Sequence, residues 1–186
     1  MTLDLTEEQL ELAGMLRAIL GQRSDGTAIR RAVESAEGFD AGLWSFLCDE
    51  IGIASLAIPE EFGGAGFTLL ESQVALEELG YALAPSPYLG SVGIAAQAVL
   101  ASGDTDAAER LLPAIAAGES LAALAWAAPD GRWNPEGIGV EASAADAWTL
   151  NGNVPFVLEG ASADILLVIA GTPAGPGCSK SPTPPQ

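Results

Sequence analysis

Apolar residues in the first two thirds of the chain recur every three or four positions, whereas later they come in short runs broken by turn residues. Leu10, Ala13, Leu16, Ile19 and Leu20 share one helical face, predicting an amphipathic first helix. Thr6 stands ahead of Gln9 in capping-box spacing, and Leu5 and Leu10 sit where a hydrophobic staple would place them. A weaker helix is expected over 27–35. Asp40 can cap a third through Leu43, Phe46, Leu47 and Ile51, stopped by Gly52. Thr68 with Glu71 repeats the capping box and opens a helix through Val74, Leu76 and Leu79 to Leu83. The next begins after Pro85-Ser86-Pro87 and ends at Gly103. A shorter one carries Ala107, Leu111 and Leu112 up to Pro113, which should kink or restart it.

Beyond Gly118 the spacing becomes strand-like. Leu121–Ala127, Gly139–Ala142 and Ala147–Leu150 are separated by Pro, Gly and Asn. Asn151-Gly152 predicts a tight turn joining 147–150 to a strand over Val154–Leu158. Asp164–Ala170 lacks alternation and reads as a strand buried on both faces. The pattern predicts an α+β chain: an N-terminal all-α helical domain at 1–118, then an incomplete antiparallel β domain at 119–171.

The final segment, 172–186, differs in composition. It holds five of the twelve Pro, no acid and Lys180, the only Lys of the chain. A Pro-rich tail of this kind is expected to be disordered. It fits either a natural linker or a chain cut or read out of frame after a buried strand, and nothing visible to pair or cover that strand favours the second.

Composition narrows the function. With 186 residues and 49% apolar content a sizeable core can form, while 25 acids against 7 bases give a net charge of −18. Without the tail the charge is −19. Arg30 and Arg31 form the only basic pair, which argues against nucleic acid and anionic membrane surfaces as partners. The absence of His removes Ser/His/Asp and Cys/His catalysis and His-ligated zinc, and Cys48 and Cys178 are too few for a zinc cage or a disulfide framework. No metal site is expected. The acidic N-terminus lacks a secretory n-region, and no apolar run reaches membrane-span length, so a cytoplasmic chain without membrane insertion is expected.

Few segments invite chemistry. The glycine-rich 59–66 stretch lacks the Lys-Ser/Thr of a phosphate loop and carries Glu60 and Glu61, so a tight interhelical turn needing positive φ is the stronger reading. The acid pairs Asp49-Glu50, Glu60-Glu61 and Glu77-Glu78 are neighbours that do not face each other on a helix and read as solvated. Cys48 has no basic neighbour and reads as a packing residue. Trp126, Trp133, Trp148 and Phe156 could stack on a planar cofactor, although strand aromatics are more often core or cross-strand pairs.

Three motifs in order add a specific signal: Leu47-Cys48-Asp49-Glu50-Ile51-Gly52-Ile53, Ile58-Pro59-Glu60-Glu61-Phe62-Gly63-Gly64-Ala65-Gly66, and Glu77-Glu78-Leu79-Gly80. Together with Leu111-Leu112-Pro113, Ala117-Gly118-Glu119 and the later Trp148-Thr149-Leu150-Asn151-Gly152, they resemble the acyl-CoA dehydrogenases over about residues 3–171. The resemblance implies FAD as cofactor, an acyl-CoA thioester oxidised at its α and β carbons, and assembly into homo- or hetero-oligomers with related chains. It also implies that the second helical bundle, which supplies the catalytic base, lies outside these residues, so no catalytic residue is assigned. Trp126, Phe156 and Val157 fall on the family's flavin-contacting positions. The family's Thr-Glu-Pro is replaced by Ala127-Ala128-Pro129, followed by Asp130-Gly131-Arg132-Trp133, and Leu158 replaces a flavin-contacting Thr. The resemblance therefore implies the N-terminal portion of an FAD-dependent dehydrogenase, inactive alone, or alternatively a non-catalytic subunit of a heteromeric one. CoA is itself an anion, and bases to hold it are scarce.

Overall fold

The computed structural model describes residues 4–132, 137–144, 148–172 and 175–182. Helix α1 (Glu7–Arg23) starts at the Thr6 capping box, and α2 (Gly26–Val33) at Asp25, whose side chain accepts from Thr27 N and Ala28 N. Asp40 caps α3 (Ala41–Phe46), which continues as a π-helical turn over Leu47–Ile51 until Gly52 takes φ 69°. Helix α4 (Leu69–Tyr81) opens on the Thr68–Glu71 capping box. After the prolines, a π-helical segment Tyr88–Ala96 runs into α5 (Gln97–Ser102), which stops at Gly103 with φ 69°. Helix α6 (Thr105–Ala116) is capped by Asp104 and runs through Pro113. Pro113, which the sequence pattern expects to kink or restart the helix, lies inside one continuous element. The one lost backbone donor is outweighed by burial of Leu111, Leu112, Ile115 and Ala116 on both sides of it.

Two clusters fill the helical region. One joins Leu16 and Leu20 of α1 to Leu43, Trp44, Leu47, Ile53, Leu79 and Tyr88. The other gathers Ile58, Ala95, Leu111, Leu112 and Ile115 and takes in Ala122, Ile165 and Leu167 from the sheet. Leu10, expected on the buried face of α1, is 58% exposed. Gln9 takes the interior place because its Nε2 donates to Glu71 Oε1 at 2.7 Å, joining the two capping boxes. Glu78, expected in solvent, is buried and receives Arg17, whose Nε donates to its Oε2 at 2.9 Å. Asp49, Glu50, Glu60, Glu61 and Glu77 are exposed, as the sequence pattern suggests.

The sheet comprises β1 (Ala122–Ala125), β2 (Val140–Ala144), β3 (Trp148–Gly152), β4 (Ile165–Thr172) and β5 (Gly175–Pro182), with β1, β4, β2 and β3 in that order and β5 pairing β4. The α+β class holds, but the sheet is mixed: β1 and β2 pair parallel to β4, while β2–β3 and β4–β5 are antiparallel. Strand β4 packs Ile165 and Leu167 on the helices and turns Val168 and Ala170 toward a third, smaller cluster, so both faces are covered as its unbroken apolar run suggests. Two expectations fail here. Val154–Leu158 forms no strand, and β3 pairs instead with β2. Gly152 is needed there for close approach, since a Cβ would lie 2.1 Å from Gly139 O. The backbone of 175–182, expected outside the fold, pairs with β4 as β5. Trp133 of the expected aromatic cluster and Ala147 at an expected strand start lie outside the described residues.

Candidate functional site

The two segments that carry the candidate cofactor residues meet just beyond the end of β1. The chain leaves β1 through Trp126, which is half-buried, and then turns at 128–132, where Gly131 N donates to Ala128 O at 2.8 Å and Ala128 N to Arg132 O at 3.1 Å. Gly131 adopts φ 78°, and a Cβ there would come within 3.3 Å of Phe156 Cε2. The Phe156 ring thus lies against this turn, brought from 25 residues further along the chain. Phe156 itself has φ 58° and is 86% exposed, and Leu158 beside it is 45% exposed. Val157 faces the other way, packing on the cluster of Ala125, Val140 and Val168 and lining an open cleft of about 410 Å³.

Of the three candidate residues, Phe156 is held at the surface beside the 128–132 turn, Val157 points to the cleft, and Trp126 stands at the end of β1. Trp148, which the commoner reading would bury, is 59% exposed, because β3 is an edge strand with both faces largely in solvent. A flat apolar group could lie on the strip of Phe156 and Leu158, with backbone groups of the neighbouring turn available for hydrogen bonding. Ala127 is buried and neither it nor Leu158 carries a hydroxyl, so these positions offer no side-chain donor. Arg132 stays mostly in solvent, 3.6 Å from Asp130.

The residue that the sequence did not single out is Glu159. It adopts φ 56°, its Oε2 is buried without a hydrogen-bond partner, and burial raises its pKa against the opposing effect of the Gly90 N–H. A lone acid in a turn gives no sign of this in the sequence.

The remaining candidates are structural. In the 59–66 loop, Gly64 N donates to Pro59 O, Ala65 N to Ser55 O and Gly66 N to Ile58 O, so these amides serve the turn and not a phosphate. Gly63 and Gly66 take φ 81° and 71°, the positive values expected of it. Cys48 is buried, and burial pushes its thiol up to about 12, in keeping with packing. Among the described residues no cluster of His, Cys, Asp and Glu could hold a metal, and no helix is long and apolar enough to cross a membrane.

Comparison with known proteins places this geometry. Residues 6–119 match the family model for the acyl-CoA dehydrogenase N-terminal domain. The acyl-CoA dehydrogenase IpdE2 of Mycolicibacterium smegmatis is 44% identical over 107 residues, covering 58% of this chain and 34% of the relative. Among solved structures, the ChsE4–ChsE5 complex of Mycobacterium tuberculosis superposes with a TM-score of 0.86 at 31% identity, covering 98% of this chain and 49% of the other. A variant of the Tcur3481–Tcur3483 steroid ACAD gives 0.82 at 31% identity, covering 95% and 48%. The chain thus spans about a third of this curated relative and half of these solved chains.

Proposed function

The chain belongs to the acyl-CoA dehydrogenase family and corresponds to its N-terminal portion, and from that premise we propose that it supplies one wall of an FAD site in an acyl-CoA-oxidising assembly. The observation that carries this reading is the meeting of Phe156 with the 128–132 turn, which joins both segments at which the family contacts flavin. FAD, when bound, supplies the electron sink for the hydride leaving the β carbon of the thioester. The part of this chain is to bind and orient. Phe156 offers an apolar face, Val157 anchors the strip in the cleft, and backbone groups after Trp126 serve where Ala127 and Leu158 have no hydroxyl. Each lost side-chain hydrogen bond weakens flavin binding by about 1 kcal/mol.

The assembly is an oligomer with related dehydrogenase chains, and the catalytic base comes from outside these residues, so the chain alone should not turn over substrate. The ChsE4–ChsE5 and Tcur3481–Tcur3483 structures support a two-component arrangement, and the second supports a steroid-type acyl group. The junction of helical and β portions is set at 118/119, supported by Gly118 with φ 73° just past α6, and a cytoplasmic location is part of the reading.

FAD titration and an acyl-CoA assay with an artificial electron acceptor, on the chain alone and with a longer homologous chain, test this. Flavin binding and turnover should require the longer chain. Turnover by the chain alone would refute it. The alternative, a subunit without a catalytic role, is favoured by Ala127 and Leu158. It predicts co-purification with a flavin-bearing partner whose flavin content does not change when Phe156 is replaced by Ala.

A further inference from the structure

The first turn of the Tyr88–Ala96 helix is where the helical region and the sheet region meet twice. Ser91, 1% exposed, accepts from Ala122 N of β1 at 3.0 Å. One residue earlier, Gly90 faces the Glu159 carboxyl so closely that a Cβ would lie 1.7 Å from Glu159 Oε2 and 3.2 Å from Leu158 O. A side chain at this position would push the Glu159 carboxyl out of its place. The Gly90 N–H belongs to a helix start with no side-chain cap and favours the ionised form of Glu159, yet Oε2 remains buried and unpartnered. A carboxyl oxygen in that state costs free energy that an apolar side chain of similar size would not.

The backbone around it is strained as well. Phe156 and Glu159 both hold left-handed φ values, 58° and 56°, which non-glycine residues keep only where their surroundings over-determine them. The far end of the same loop is tied down separately, Ser162 Oγ donating to Glu37 O at 2.9 Å. The loop is therefore fixed to the helical region at 159 and 162, and between its fixed points and the sheet it presents Phe156 and Leu158 outward.

We propose that Glu159 is a positioning residue: wedged against Gly90, its carboxyl fixes the Phe156–Leu158 strip and thereby the seat of the flavin ring. The second half of this statement rests on the FAD reading above. Glu159 does not touch the reacting atoms and acts through the strip.

Hydrogen–deuterium exchange of the full chain over 154–162, with FAD titration followed by the visible circular dichroism of bound flavin, separates the two halves. In E159A and G90A, exchange over 154–162 should rise about tenfold, the equivalent of one hydrogen bond, while β1 amides stay protected. In E159Q, which keeps an acceptor for Gly90 N–H and the same length, exchange should stay near that of the parent chain. With the longer homologous chain present, FAD affinity should fall about tenfold and the flavin dichroism should change in E159A, with E159Q restoring both. Unchanged exchange over 154–162 in E159A overturns the proposal, as does an E159Q variant as loose as E159A. If no FAD binds at all but the exchange pattern is as expected, the flavin reading fails and the positioning of the loop by Glu159 stands.

Discussion

The helical region and the sheet region solve burial differently. From Thr6 to Gly118, apolar stripes from α1, α3, α4 and the Tyr88–Ala96 helix close on one another, and Leu16, Leu47, Ile53 and Tyr88 are almost wholly removed from solvent. The sheet packs one face on the helices, where Ala122, Ile165 and Leu167 join the helical core. Its other face is a cluster of five buried residues beside an open cleft, with Trp148, Phe156 and Leu158 in solvent nearby. The stability of the fold is therefore concentrated in the helices, while the candidate site leaves the apolar side chains of Phe156 and Leu158 open to solvent. Such surface costs free energy unless something covers it, as expected of a wall that binds a cofactor or a neighbouring chain.

The largest effect should come from comparing equal deletions in the two regions. Leu47→Ala, at a site with no solvent exposure, is expected to cost about 3 kcal/mol, whereas Leu150→Ala on the cleft should cost about 1 kcal/mol or less. Urea denaturation of both variants measures the difference, and equal losses would break the contrast. Gly118→Ala should come next, at about 2 kcal/mol. The residue has φ 73°, and its Cβ would stand 2.4 Å from Cys48 Sγ at the point where Trp44 Nε1 donates to Gly118 O. Adding Cys48→Ala should remove the contact with the sulfur but keep the Cβ of position 48, 2.8 Å from the new methyl, and the backbone cost, so the double variant should recover only part of the loss.

Capping offers a smaller and sharper probe. Thr68 Oγ1 accepts from Leu70 N at 3.1 Å while Glu71 Oε2 accepts from Thr68 N at 2.8 Å. Thr68→Ala is expected to cost about 1 kcal/mol in thermal unfolding, with no change in the sheet's exchange protection.

The same contrast governs what could be read from the sequence. Helix starts and stops are local events, and Thr6, Asp40, Thr68, Gly52 and Gly103 announce them through residue type and spacing. Failures came where a distant partner decided the outcome. Gln9 displaced Leu10 from the interior because Glu71, 62 residues away, takes its amide. Asn151-Gly152 looks like a hairpin turn, but Gly152 is there to let the backbone approach Gly139. Pro113 is tolerated because its neighbours are buried on both sides. Of the candidate site, family resemblance proposes Trp126, Phe156 and Val157. Neither the left-handed backbone at Phe156 and Glu159 nor the pairing of Glu159 with Gly90 has any local sequence mark, since both residues are ordinary L amino acids.

The smallest expected effect concerns pH and tests how the two capping boxes are joined. Hydrogen bonds from Gln9 and from Thr68 hold the Glu71 carboxyl down at about 2, below its ordinary 4.5. A depressed carboxyl contributes stability that is fully present above the unfolded value and is lost as pH falls through the folded one. The contribution of Glu71 should therefore be constant at neutral pH and fade between about 4.5 and about 2. Because the carboxyl sits at the surface and is only partly buried, screening keeps the effect small. Urea unfolding of the parent chain and of Glu71→Gln from pH 6 to pH 2.5 isolates it, since the many other acids contribute equally to both. The stability gap between the two should narrow steadily over that range, and Gln9→Ala should shift the narrowing to higher pH by removing the first of the two donors. A gap independent of pH would mean that Glu71 acts only as a neutral acceptor for the Thr68 cap, and that the link from α1 to α4 contributes packing but no charge-assisted hydrogen bond.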